Sequence, residues 1–399
     1  MLNKLYGDGI HDDTAAIQEM IDNSGCELSL PAPENYYLIS KAIEIPSNFK
    51  LILPRTAEVR LAKNSNCVML KNKLELPEGA EYSNYSSYLS ACANVAAAQN
   101  IEICGGIWNG NNMEQEKNPL VSPTLISGFW GFCFSFYKTV NLKISQLTIK
   151  DPTAHGINLD AVTYFTVENI TFDFNPGNPK PTCMNGLNLM GNCLFGTICN
   201  LTGACCENTV SLNSEEGSYG DISYITIDGV SCGIAPAGIR MFIGSNNIEN
   251  IRISNVSGTF SQTCFAFVKV GGNGGIFDTI TIENVHAKLT KTDKERVAYP
   301  EFPEGPLVYI DYFLTLKNIT ISDFYHDEKE ISRETFLIGE NVNIDKLVMK
   351  NVHTSNATNG KCPLFLNYGK IGYISYRGVD TGKDDKYPLR ISFDKIMEF

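Results

Sequence analysis

A short alternating strand followed by a polar pair recurs along most of this chain, and it restricts the fold more than any other feature. The clearest copies are NIENIRISNVSG (247–258), FDTITIENVHA (277–287), LKNITISDFYH (316–326), IDKLVMKNVHT (344–354) and IGYISYRGVDT (371–381), with earlier ones at 140–151, 164–174 and 222–232. They begin about 23 to 31 residues apart, with intervals near 40 where loops are inserted. A period of that length marks a solenoid, and alternation with a two-residue beat makes the repeating unit strands rather than helix pairs. One such coil cannot bury its inner face alone, so successive coils must stack as a parallel β-helix. The Asn residues that follow the strands suit tight bends, because Asn tolerates left-handed backbone and bonds its own main chain.

The first residues break the pattern. DDTAAIQEMIDNSG (12–25) reads as a short helix, with Asp12 or Asp13 as N-cap, Gly25 just past its end and an apolar stripe of Ile17, Met20 and Ile21. A helix there plugs the open end of a solenoid and covers strand edges that would otherwise pair with other chains. No linker-like stretch divides the rest. The expectation is one domain over 1–399: cap and first coils to about 60, repeating coils over 100–380, and a tail over 381–399. Insertions near 72–92, 110–128 and 288–306 read as loops lining one side.

With 399 residues, 43% of them hydrophobic, the chain is long enough to bury a large core. A formal net charge of -12 argues against nucleic acid or an anionic membrane as partner. The aromatic run Phe129–Tyr137 is too short to span a bilayer, and the N-terminus has no apolar core of signal-peptide type. The expected location is the cytoplasm, or outside the cell if a leader has been removed. The 13 cysteines have no metal-ligand spacing and the five histidines are scattered, so buried thiols are expected, with Cys205–Cys206 reduced and neither metal nor cofactor.

In a parallel solenoid, equivalent residues of neighbouring coils lie about 4.8 Å apart. Aligning GINLD (156–160), GLNLM (186–190), TVSLN (209–213), GIRMF (238–242) and FVKV (267–270) turns Ile157/Leu159, Leu187/Leu189, Val210/Leu212, Ile239/Met241 and Val268/Val270 inward. An outward ladder of Asn158, Asn188, Ser211, Arg240 and Lys269 results, flanked by Asp160 and Asn213. His155, Asn185 and Glu207–Asn208 stand at the turns entering these strands.

The same region, from DPTAHGINLDAVTYFTVENITF (151–172) through CMNGLNLMGNCLFGTICNLTG (183–203) to CENTVSLN (206–213) and GIRMFIGS (238–245), resembles the polygalacturonase-type glycoside hydrolases. YGDGIHDDTAAIQEMID (6–22) and GGIWNGNN (105–112) are similar to the front end of that family and of the wider pectate-lyase-like superfamily. The resemblance covers roughly residues 6–290 and implies an all-β, right-handed parallel β-helix with a short N-terminal capping helix. It also implies an inverting acid set acting on a polysaccharide, with one acid protonating the leaving oxygen and others activating water. The family motifs N-T-D-G, D-D, G-H-G and R-I-K are altered here. Asn185 stands at an Asp position, Glu207–Asn208 replaces the acid pair, APAG (235–238) lacks the His, and only Lys269 matches the last motif.

An amide cannot take a proton from water, so Asn185 and Asn208 cannot replace base carboxylates. Three readings follow. In a glycoside hydrolase with a rebuilt acid/base set, Glu207 is the general acid and Glu215, Glu216 or Asp160 supplies the base. In a glycan-binding protein without catalysis, Asn158, Asn185, Asn188, Asn208 and Asn213 meet sugar hydroxyls, and Trp108, Phe129, Trp130 and Tyr137 offer ring faces. In a lyase, Arg240 or Lys269 is the base beside a uronate, with Ca²⁺ held by carboxylates. His155 either touches the sugar or is a hydrogen-bonded turn histidine. The charge suits neutral or mixed glycans, and Lys288, Lys291, Lys294 and Arg296 offer a local anion site.

Overall fold

A computed structural model describes residues 4–79, 85–115, 131–175, 184–291, 305–328, 333–356, 364–380 and 396–398. The fold is the all-β, right-handed parallel β-helix expected from the repeat, with a helix at its N-terminal end. The chain divides into two compact units. The first holds 1–197, 205–207 and 216–218, and the second holds 198–204, 208–215 and 219–399.

In the first unit, parallel strands follow three faces. Phe49–Ile52, Ala98–Cys104, Thr139–Lys150 and Thr163–Asp173 pair in succession on one. Tyr37–Ile39, Glu58–Leu61 and Ile107–Asn109 pair on the second, reaching the end of Thr139–Lys150. Ile43–Ile45, Leu70–Asn72, Phe134–Tyr137, Ile157–Asp160 and Leu187–Met190 form the third. The register stacks like on like: Ile101, Leu142 and Phe165 align, as do Ile103, Ile144 and Val167, and all six are buried. Each alternating apolar position therefore leaves water only by resting on its counterpart one coil away.

The second unit repeats the scheme. Ile222–Ile243, Ile248–Lys269, Phe277–Leu289, Thr315–Glu328, Asn343–Asn356 and Lys370–Asp380 pair in order. Asn208–Asn213, Val308–Ile310, Phe336–Ile338 and Phe365–Asn367 continue the second halves of the longer strands.

The Asn of the repeat sits where the backbone turns left-handed. Asn48, Asn100 and Asn141 have φ of 61°, 54° and 60°. Their amides form a ladder, with Asn100 Nδ2 donating to Asn48 Oδ1 at 2.7 Å and Asn141 Nδ2 to Asn100 Oδ1 at 2.8 Å. In the second unit Asn351 donates likewise to Asp323 at 2.9 Å.

The N-terminal helix, α1, spans Thr14–Asn23 and buries Ala16, Ile17 and Ile21, while Met20 stays half-buried. Asp13 occupies the N-cap position, but its carboxylate turns back to accept the main-chain N–H of Tyr6 at 2.6 Å and Gly7 at 3.1 Å. Asp12 instead accepts the Thr14 N–H at 2.9 Å. A second helix, α2 (Tyr85–Ala91), lies in the 72–92 insertion, where the sequence suggested only a loop. Tyr85, Tyr88 and Cys92 recur at helical spacing and pack with Val68, Phe132, Tyr137, Ala154 and Met190 in a satellite cluster.

Candidate functional site

Three neighbouring strands of the first unit, Phe134–Tyr137, Ile157–Asp160 and Leu187–Met190, carry the amide-rich residues. Their register places Asn158 beside Asn188 and beside Ser135, and turns Ile157, Leu159, Leu187 and Leu189 into the core. Asn185 Nδ2 donates to Asn188 Oδ1 at 3.2 Å, and Asn188 Nδ2 donates to Asn158 Oδ1 at 2.9 Å. The amides thus form a directional chain, each both giving and receiving.

His155 opens the middle strand. The Asn185 main-chain N–H donates to its Nδ1 at 3.3 Å, and its ring stacks on Phe132 at 5.3 Å with an 8° interplanar angle. Burial pulls its pKa down to about 3. The imidazole is therefore neutral, with its proton on Nε2. It is hydrogen-bonded at the turn entering the strand.

Asp160 closes the same strand. Its Oδ1 accepts from the Ser218 hydroxyl at 2.5 Å and the Ser218 N–H at 3.1 Å, and its Oδ2 accepts from the Tyr85 hydroxyl at 2.8 Å. Burial raises its pKa to about 6 against the lowering effect of those bonds. Gly217 (φ 64°) brings its backbone so close that an added Cβ would lie 2.1 Å from Asp160 Oδ2. Any other residue there would push the 216–218 turn off the carboxylate.

The expected solvent-facing strip is corrected by these contacts. Asn158 and Asp160 are 0% exposed and Asn188 is 1% exposed. The residues do leave the core side of their strands, but α2 and the 216–218 turn lie over them. His155, Asn185, Glu207, Asn208, Asn213 and Arg240 are buried as well.

In the second unit the ladder runs Ser211, Arg240, Ala266, Tyr309, Leu337 and Leu366. Lys269 does not join it. It pairs with Ile243, its N–H donates to Asp311 Oδ2 at 3.2 Å, and its Nζ donates to Asn273 Oδ1 at 2.6 Å. Phe265 and Phe267, not Val268 and Val270, align with Ile239 and Met241. The register is offset by three residues from the expected one, an odd offset that reverses every side chain, and Ala266, Val268 and Val270 are as apolar as Phe265 and Phe267. Arg240 rests its guanidinium 4.2 Å from the Phe242 ring centre. Arg240 and Lys269, each offered as the base in the lyase reading, therefore do not share a ladder position.

Glu215 Oε1 accepts from the Ser245 N–H at 2.7 Å, the Asn246 N–H at 2.8 Å and Asn246 Nδ2 at 3.0 Å. Through this oxygen the carboxylate ties down the 245–246 turn. Glu215→Ala is expected to destabilise the protein by about 1–3 kcal/mol by stripping partners from two main-chain donors, measured by urea unfolding. Asn213 has a similar task, its Oδ1 accepting the Glu215 N–H at 3.1 Å. Thr209 contacts the buried Cys232 thiol at 2.9 Å, one strand position beyond Asn208. Glu216 gives its carbonyl to the Gly191 N–H at 3.3 Å and remains half-buried.

Trp108 is core, 1% exposed, with its Nε1–H on the Gly105 carbonyl at 3.2 Å and Phe134 edge-on at 4.9 Å. Tyr137 is buried against Tyr88. Phe129, Trp130, Lys294 and Arg296 lie outside the described residues. Cys205 and Cys206 are buried and not joined in a disulfide. Tyr85, Phe132, Gly217 and Ser218 contribute most to this site, yet no repeat position marks them. The one signal was the helical spacing of Tyr85, Tyr88 and Cys92.

Neither a family model nor a curated protein matches this chain. Among solved structures, it is similar to an endo-xylogalacturonan hydrolase from Aspergillus tubingensis, at 14% identity over 98% of each chain with a TM-score of 0.62. It is also similar to a hyperthermoactive exopolygalacturonase from Thermotoga maritima, at 13% identity over 94% of this chain and 88% of that one, with a TM-score of 0.56. A third is PfbA, a surface adhesin of Streptococcus pneumoniae, at 17% identity over 96% and 95%, with a TM-score of 0.50. These likenesses establish a shared parallel β-helix.

Proposed function

We propose that this chain is a glycan-binding β-helix protein that holds sugar hydroxyls on the amide strip of its first unit and does not cleave the glycosidic bond. A hydrolase and an adhesin both appear among its structural relatives, so the fold does not choose between cleaving and holding, and the site must. The observation that carries the reading is the chain from Asn185 through Asn188 to Asn158. It begins at Asn185, a neutral donor–acceptor group where the resembling hydrolases carry an aspartate. Two of the three carboxylates offered as bases are engaged elsewhere, Asp160 beneath Tyr85 and Ser218 and Glu215 in a turn. Inverting hydrolysis needs an acid and a base facing each other across a water-sized gap. The single continuous domain over 1–399 belongs to the same proposal.

The test is a panel of polygalacturonate, xylogalacturonan and α-1,3-glucan, scored for retention, reducing ends and ultraviolet absorbance. Retention without either product is expected. Reducing ends that vanish in Glu207→Gln would replace this reading with hydrolysis by a rebuilt acid set. A new absorbance lost on adding chelator would replace it with a lyase.

A further inference from the structure

The Tyr85 hydroxyl lies between a carboxylate and an amide of the strip, 2.8 Å from Asp160 Oδ2 and 3.5 Å from Asn158 Nδ2. A sugar hydroxyl bound to those side chains would be held in the same way, giving its proton to the acid and accepting from the amide. From this geometry, and resting on the glycan-binding reading above, we propose that α2 is an autoinhibitory lid whose Tyr85 hydroxyl acts as an internal competitor for the strip.

The packing of α2 separates it from the main core. Tyr85, Tyr88 and Cys92 belong to a satellite cluster on the outer side of the strands, with Leu74, Leu76 and Leu89 at its margin. Its edge is fastened by polar contacts: Lys71 Nζ stands 5.3 Å from the Tyr88 ring centre, and Lys138 Nζ donates to the Ala93 carbonyl at 2.9 Å. Among the described residues, the titratable groups facing Asp160 are Tyr85 from α2, Tyr137 from the adjoining strand and Cys193 from the following coil. None of these three is a cation, and the hydrogen bonds that hold the Asp160 carboxylate come from the neutral Tyr85 and Ser218. A small cluster over an acid held by neutral donors opens at lower cost than the stacked coils beneath it. Opening would remove Tyr85 from Asn158 and from Asp160 Oδ2 together, while Ser218 keeps Asp160 Oδ1.

Two measurements test the lid on the full chain. In the first, buried Cys92 at the C-terminal end of α2 and buried Cys264 in the second unit are labelled with a thiol reagent and read separately by mass spectrometry. Tyr85→Phe keeps the ring and removes the hydroxyl, and should speed labelling of Cys92 about tenfold with no change at Cys264. In the second, retention on xylogalacturonan is compared for wild type, Tyr85→Phe and Tyr85→Ala, each checked for an intact unfolding transition. Both variants should bind about tenfold more tightly than wild type.

Cys92 that labels no faster in Tyr85→Phe overturns the lid. Faster labelling with unchanged retention also overturns it, since the helix then opens without gating anything, and the glycan-binding reading survives. If neither wild type nor variants are retained on any glycan of the panel, the glycan-binding reading fails and the inhibitory role falls with it.

Discussion

Replacing Trp108 with alanine is expected to lower the unfolding free energy by about 3–5 kcal/mol, one of the largest effects of any single substitution in the first unit. The side chain is 1% exposed, meets Phe134 edge-on at 4.9 Å, and satisfies its only donor on the Gly105 carbonyl. Its removal forfeits the transfer of a large aromatic surface and leaves a cavity in a stack that cannot collapse. The coils above and below are fixed by their own ladders, with Trp108 paired in register between Val59 and Ile149. Urea unfolding measures the loss directly. Retention on glycan, assayed well below the transition, should stay at the wild-type level. Retention lost with unchanged stability would instead make Trp108 a ring that stacks on sugar.

The repeat carried the fold, because alternation at a constant period has one stable solution, and the inward residues of the strands at 157–159, 187–189 and 210–212 follow from it. Reading failed where the pattern lost contrast. In FAFVKV (265–270) Phe265 and Phe267 alternate with Ala266, Val268 and Val270, so hydrophobicity did not choose the face, and Lys269 was placed on the wrong ladder. The strip itself was legible because Asn158 and Asn188 break runs of aliphatic residues at the same strand position. Its burial was not. Tyr85 lies 75 residues before Asp160 and Ser218 lies 58 after it, and contacts made by inserted helices and turns leave no periodic trace. The carboxylate of Glu215 looked catalytic in sequence because nothing local revealed that the 245–246 turn would need an acceptor.

The acid limb of the stability curve should contain two large slopes that cancel. Burial holds Asp160 at about 6 in the folded protein, above its ordinary value of 3.8. The folded state therefore binds that proton more tightly, and the stabilisation is fully present below 3.8 and lost as pH rises through about 6. Over the whole interval it amounts to about 3 kcal/mol. Burial holds His155 at about 3, below its ordinary 6.5, so its sign is opposite. That stabilisation is present above 6.5 and lost as pH falls towards about 3, a change of about 5 kcal/mol. Between about pH 4 and 6, the folded chain carries a proton on Asp160 that the unfolded chain lacks, and lacks one on His155 that the unfolded chain carries. The two slopes, each about 1.4 kcal/mol per pH unit, then offset each other. Asp160→Asn should unmask the histidine, so that stability falls relative to wild type as the pH drops from 6 to 4. His155→Gln should do the reverse, gaining relative to wild type over the same range. Urea midpoints at half-unit pH intervals give both difference curves, in which the titration of all other carboxylates drops out. Two flat difference curves would mean that neither side chain is buried in the folded protein, and that α2 and Phe132 do not cover the strip.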